Sequence, residues 1–113
     1  MSLYTFTNAY VECAVWTTTH EEEPITDYEL ALGAVEQMTA DCAEFYRAHS
    51  ETWCDVGLTD EQAGHNFWLT RNGEGTGFWD RGIGAVGDAL TAAAKTCGVR
   101  DLYVGDDGLM YYA

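Results

Sequence analysis

The sequence predicts an α+β fold: N-terminal helices packed on a small antiparallel sheet, with ββ-α-ββ order in the second half. Three observations predict it. Apolar residues recur at steps of three and four in two long stretches of the chain. Asn72-Gly73, a strong hairpin signal because both residues tolerate positive φ, lies between two aromatic strand-like runs. A last pair of short β-rich runs flanks Asp106-Asp107-Gly108. Helices followed by strands with turn signals between them read as α+β. The 113 residues, 47% of them hydrophobic, suit one domain spanning 1–113.

Residues 7–18, TNAYVECAVWTT, fit two templates. Phe6, Ala9, Tyr10, Cys13 and Trp16 follow helical spacing, whereas Val11, Cys13 and Val15 alternate; helix is favoured, with Asn8 as N-cap. Thr17-Thr18-Thr19 and Glu21-Glu22-Glu23 read as a solvated loop, which Pro24 closes. TDYE, Thr26 to Glu29, has capping-box spacing and predicts a helix from there to His49 or Glu51, kinked or broken at Gly33. Val35, Met38, Cys42, Phe45, Tyr46, His49 and Trp53 would form its apolar face.

TDEQ, Thr59 to Gln62, is a second capping box, predicting one helical turn that stops at Gly64. His65–Thr70 and Gly77–Arg81 are then expected as paired strands around RNGEGT. Ile83, Val86, Leu90, Ala93, Ala94 and Cys97 mark an amphipathic helix ending at Gly98, with Lys95 in its last turn. DLYVGDDGLMYY supplies the second hairpin, and its terminal strand, Leu109 to Tyr112, offers an edge to another copy.

Charge limits function. Nineteen acids against five bases give −14. Residues 1–60 hold twelve acids and one base, Arg47 (−11); residues 61–113 hold seven acids and four bases (−3). Such a chain repels nucleic acid and anionic membranes and suits a partner with a basic surface. No apolar run reaches the roughly 20 residues of a membrane span, and the first eight residues lack the basic and apolar regions of a secretory signal, so a cytoplasmic protein is expected.

Cys13, Cys42, Cys54 and Cys97 form no C-x-x-C pair and fit no common zinc spacing, so free buried thiols are expected, with no metal and no cofactor. Gly73, Gly75 and Gly77 lack the lysine of a phosphate loop and the spacing of a dinucleotide fingerprint. Asp106-Asp107-Gly108 lacks the further ligands of a calcium loop. Phe67, Trp68, Phe78 and Trp79 read as cross-strand core pairs, with an exposed patch around Trp68 and Trp79 as the alternative. His65 and Asp80 are the pair that a small enzyme would use, but no nucleophile elbow or metalloprotease motif accompanies them.

The strongest candidate is an acidic helix face. Glu29, Glu36, Glu44 and Glu51 fall within roughly 80° of one another, opposite the apolar face, and Asp55 joins them if the helix lasts that far. No lysine precedes residue 95 to relieve the repulsion. A merely solvated face is the bland alternative.

AGHNFWLTRNGEGTGFWDRG (Ala63 to Gly82), followed by DLYVGDDG (Asp101 to Gly108), resembles a family of small proteins encoded by bacteriophages, prophages and plasmids that share an AGHxFWLTRNGxGxGFWDR core. The match is close over these segments and loose over residues 1–60, and it carries no catalytic residue. It implies a mobile-element origin. Small acidic phage proteins often inhibit host defence or transcription machinery, sometimes by imitating DNA. The resulting expectation is a non-enzymatic inhibitor of anti-CRISPR or antirestriction type acting in the host bacterial cytoplasm. It would bind a basic host protein through Glu21, Glu22, Glu23, Glu29, Glu36, Glu44, Glu51 and Asp55, without contacting nucleic acid directly.

Overall fold

A computed structural model describes residues 2–20, 23–24, 29–74 and 76–113. Along the chain run α1 (Leu3–Thr17), β1 (Thr19–His20), β2 (Glu23–Pro24), α2 (Leu32–Asp55), α3 (Asp60–Arg71), a 3₁₀ turn (Phe78–Asp80), α4 (Ala85–Thr96), β3 (Leu102–Val104) and β4 (Met110–Tyr112). The α+β class is as expected, with helices leading and an antiparallel pair closing the chain.

Residues 7–17 belong to a helix with Thr18 as its C-cap, but the helix begins earlier than Asn8. Ser2 is the N-cap, its hydroxyl accepting from the Thr5 N–H at 3.1 Å. The spacing of Phe6, Ala9, Tyr10, Cys13 and Ala14 buries one stripe. The start of α2 also moves. Thr26, Asp27 and Tyr28 lie outside the described residues, and α2 starts at Leu32 with no side-chain cap. Gly33 sits in its first turn rather than at a break, and the helix runs on to Asp55.

The largest correction concerns HNFWLTRNGEGTGFWDRG. His65–Thr70 is helix, not strand. The Thr59 capping box is present, with Gln62 N–H donating to Thr59 Oγ1 at 3.1 Å and Thr59 N–H to Gln62 Oε1 at 2.9 Å, but the helix it starts runs through Gly64 to Arg71. Ala63, Gly64, Asn66, Phe67, Trp68, Thr70 and Arg71 are all buried, so α3 is enclosed on most sides. An enclosed helix shows no one-sided period, which is why its apolar run imitates a strand. Asn72-Gly73 does mark a positive φ (66° at Gly73), but at a helix end. Glu74 N–H donates to Leu69 O and Gly73 N–H to Thr70 O, the paired bonds of a Schellman cap. Gly77–Arg81 is then a 3₁₀ turn that inserts Phe78 into the core. The second half therefore reads α-α-ββ.

Gly64 has a different role from the predicted stop. A Cβ there would lie 2.3 Å from Phe6 O and 2.8 Å from Ala9 Cβ, so the missing side chain lets α3 lie against α1. Ser2 N–H to Asp60 Oδ2 (2.6 Å) at one end and Trp68 Nε1–H to Thr17 Oγ1 (2.8 Å) at the other show that the two helices run parallel. Between α1, α2 and α3 the aromatics stack. Phe45 and Phe67 have centroids 4.0 Å apart, Phe6 and Trp53 5.0 Å, and Tyr10 and Phe67 5.0 Å.

α4 spans Ala85–Thr96 and ends at Gly98 as expected, with Lys95 in its last turn. The terminal hairpin pairs Leu102 with Tyr112 and Val104 with Met110. The far edge of β4 is occupied rather than open: Met110 N–H donates to Glu29 O at 2.8 Å and Ala31 N–H to Met110 O at 2.9 Å. Met110 is thus bridged to the chain's own segment before α2, which covers part of the edge that another copy would use.

Candidate functional site

Glu36, Glu44, Glu51 and Asp55 are all exposed on α2, while Ala34, Met38, Cys42, Phe45 and Trp53 are buried on its other side. At about 100° and 1.5 Å per residue the four acids occupy a stripe roughly 100° wide and 29 Å long. Glu29 is exposed but precedes the helix, so it flanks the stripe instead of opening it. Glu23 lies in β2, and Glu21 and Glu22 fall outside the described residues. Arg47, exposed, stands within the stripe, three residues from Glu44 and four from Glu51. Among the described residues, ion pairs form only at Asp41, so these four acids and Arg47 make no direct ion pair.

Asp41 belongs to the same helix but turns inward, to a buried hub that the sequence did not reveal. Arg71, 3% exposed, spends its guanidinium on five acceptors. Its Nε–H reaches Gly98 O at 2.8 Å and its Nη2–H reaches Cys97 O at 2.9 Å. Its Nη1 lies 3.0 Å from Asp41 Oδ2, 3.1 Å from Tyr10 Oη and 3.2 Å from Tyr112 Oη. Tyr112 in turn donates to Asp41 Oδ2 at 2.6 Å, and the two phenol oxygens are 2.7 Å apart. Arg100 adds a second cation, 3.4 Å from Asp41 Oδ2 and 4.8 Å above the Tyr112 ring. One fork of donors therefore joins α1, α2, α3, the end of α4 and β4. Burial pushes the Tyr10 phenol up to about 12 and raises Tyr112 further, so both are neutral hydrogen-bonding groups at neutral pH. The sequence signal was a lone arginine closing an apolar run.

The aromatic alternative divides. Trp68 is 3% exposed and bonded to Thr17, so it belongs to the core; Trp79 is 51% exposed. The two form no common patch of exposed rings. Trp16, 68% exposed, presents more tryptophan surface than either. His65 lines a hollow with Glu12, Cys13, Trp16, Leu69 and Arg81, a lining that does not include Asp80.

A smaller hollow of about 260 Å³ adjoins the acidic stripe, lined by Asp41, Glu44, Phe45, Ala48, His49, Phe67, Arg71 and Cys97. Partial desolvation lowers the His49 pKa and raises that of the otherwise exposed Cys97 thiol. The cysteines are free, but only Cys13 and Cys42 are buried; Cys54 and Cys97 are exposed, which corrects the expectation of four buried thiols. No three His, Cys, Asp or Glu side chains gather as metal ligands among the described residues. No described helix is long and apolar enough to cross a membrane.

No family model, curated protein or solved structure matches the chain.

Proposed function

We propose that this chain is a non-enzymatic binding protein whose α2 stripe docks on a basic protein surface. The observation that carries the reading is the stripe itself: Glu36, Glu44, Glu51 and Asp55 are exposed on one face of a 24-residue helix and make no ion pair among the described residues. Four acids relieved by the single cation Arg47 leave a net negative face that costs stability, and a cationic partner would turn that cost into association rate and selectivity. A chain at −14 is repelled by nucleic acid, so the basic surface it suits is that of a protein. The carboxylates stand roughly 6–12 Å apart along the helix, against one phosphate charge per roughly 1.7 Å of duplex axis, so any imitation of DNA is coarse and one-sided.

The resemblance to phage, prophage and plasmid proteins gives the setting. In the cytoplasm of a bacterial host, the target class is the nucleic-acid-binding surface of a defence complex, such as a CRISPR effector or a restriction enzyme. Capture from a host lysate on the immobilised chain, at low and high salt, tests this reading. A partner retained at low salt and released at high salt is expected, with Glu36→Lys/Glu44→Lys losing it while melting no lower than the parent chain. Retention that ignores salt and charge reversal would refute the electrostatic reading. It would favour an apolar contact, for which exposed Trp79 is the residue to replace.

A further inference from the structure

The hollow between α1 and α3 brings together groups that the acidic stripe does not use. About 440 Å³ in volume, it is lined by Glu12, Cys13 and Trp16 of α1, His65 and Leu69 of α3, and Arg81 after the 3₁₀ turn. Trp16 is 68% exposed although its helix neighbours Cys13 and Ala14 are buried, so a large ring is left uncovered at the rim. Arg81 is held in place from below: its Nε–H donates to Asn66 Oδ1 at 3.0 Å, and Asn66 is 1% exposed. The two terminal NH₂ groups of that guanidinium have no acceptor among the described residues. Glu12 lines the same hollow and forms no ion pair with Arg81 or His65. The hollow is open, with Glu12, Trp16 and Arg81 all exposed, and it offers a donor fork anchored through its Nε–H, an acceptor carboxylate and an aromatic face that make no ion pair with one another.

Among flat rings that can stack on the exposed Trp16 indole, the two charged groups discriminate. A free anion meets Glu12 and the field of a chain at −14. A cation meets Arg81. A neutral flat ring avoids both and can stack on an indole. To satisfy the remaining groups it needs two acceptors side by side for the guanidinium and N–H donors on another edge for the carboxylate. Guanine has both: O6 and N7 match an arginine fork, and N1–H with the 2-amino group suits a carboxylate. Adenine offers N7 beside an amino donor, which the fork cannot use. The geometry points to a binding site for a guanine-type base, free or as its nucleoside, with the ring on Trp16, the acceptor edge on Arg81 and the donor edge toward Glu12. The buried Cys13 thiol and Leu69 form the apolar part of the lining.

The site is independent of α2, so it can be tested without a partner. The full chain is titrated with guanosine and, separately, with adenosine. Tryptophan fluorescence and the NMR signals of the Trp16 indole N–H and the Arg81 Nε–H report binding. Saturable shifts with guanosine are expected, with adenosine weaker by at least about tenfold, the scale of one good bidentate pair. Arg81→Gln and Trp16→Ala are each expected to weaken guanosine by a similar factor with unchanged melting, and Arg81→Gln also to erase most of the preference over adenosine, which Glu12→Gln only reduces. No saturable shift up to the solubility limit of guanosine would overturn the assignment. So would equal binding of the two nucleosides, or an Arg81→Gln chain that binds as the parent does.

Discussion

Asp41 and Arg71 show how much of this fold depends on two charged residues. Asp41 Oδ2 receives Arg71, Arg100 and Tyr112 at 3.0, 3.4 and 2.6 Å. Removing the carboxylate leaves the 3%-exposed guanidinium without its counter-charge, a change that costs about 3–5 kcal/mol when such a pair is broken. Asp41→Asn should therefore destabilise the chain on that scale in urea denaturation, whereas Glu36→Gln, on the exposed stripe, should stay within about 0.5 kcal/mol. The same hub sets an alkaline limit. Tyr10 titrates near 10 when unfolded and is raised to about 12 in the fold. The unfolded chain releases that proton first, so the contribution of Tyr10 to stability is undiminished below pH 10 and falls as pH rises toward 12. Denaturation midpoints between pH 9 and 12, read with phenolate absorbance, should show that decline; a flat profile would contradict the buried placement of Tyr10. None of this was legible in the sequence, because Tyr10, Asp41, Arg71 and Tyr112 come from four separate elements, and no local spacing links them.

At the scale of the element, what could be read followed the physics of each segment. α1, α4 and the terminal hairpin were legible because their apolar residues fall on one side or their turn residues are explicit. α3 was not, because a helix enclosed on most sides loses its period, and Asn72-Gly73 serves a helix end as well as a hairpin. The α2 stripe was mostly legible: exposure of Glu36, Glu44, Glu51 and Asp55 follows from one helical face, while the inward turn of Asp41 does not. Three substitutions test these assignments by thermal denaturation. Thr59→Ala should remove the α3 cap at about 1 kcal/mol. Gly64→Ala should cost about 1–3 kcal/mol, because its Cβ would meet Phe6 O at 2.3 Å and force α3 from α1. Gly33→Ala, with no neighbouring atom within 4 Å of the added Cβ and a helical backbone, should instead stabilise by about 0.4–1 kcal/mol.

Across the whole molecule, the −14 charge is divided unevenly between structural and free acids. Asp41 and Asp60 are tied into the core, Asp60 by Ser2, Tyr46 and Trp53. The α2 stripe remains unpaired among the described residues, so self-repulsion should be relieved by salt, and the melting temperature should rise from low to moderate ionic strength. Glu36→Lys/Glu44→Lys should flatten that rise. The same free charge is what a basic partner would use. The measurement that tests this most directly is a competition on the captured partner between the chain and duplex DNA. Mutual exclusion is expected, with an affinity that weakens as salt increases and is lost in Glu36→Lys/Glu44→Lys. A partner that holds the chain and duplex DNA at the same time, with an affinity indifferent to salt and to those two reversals, would contradict the account.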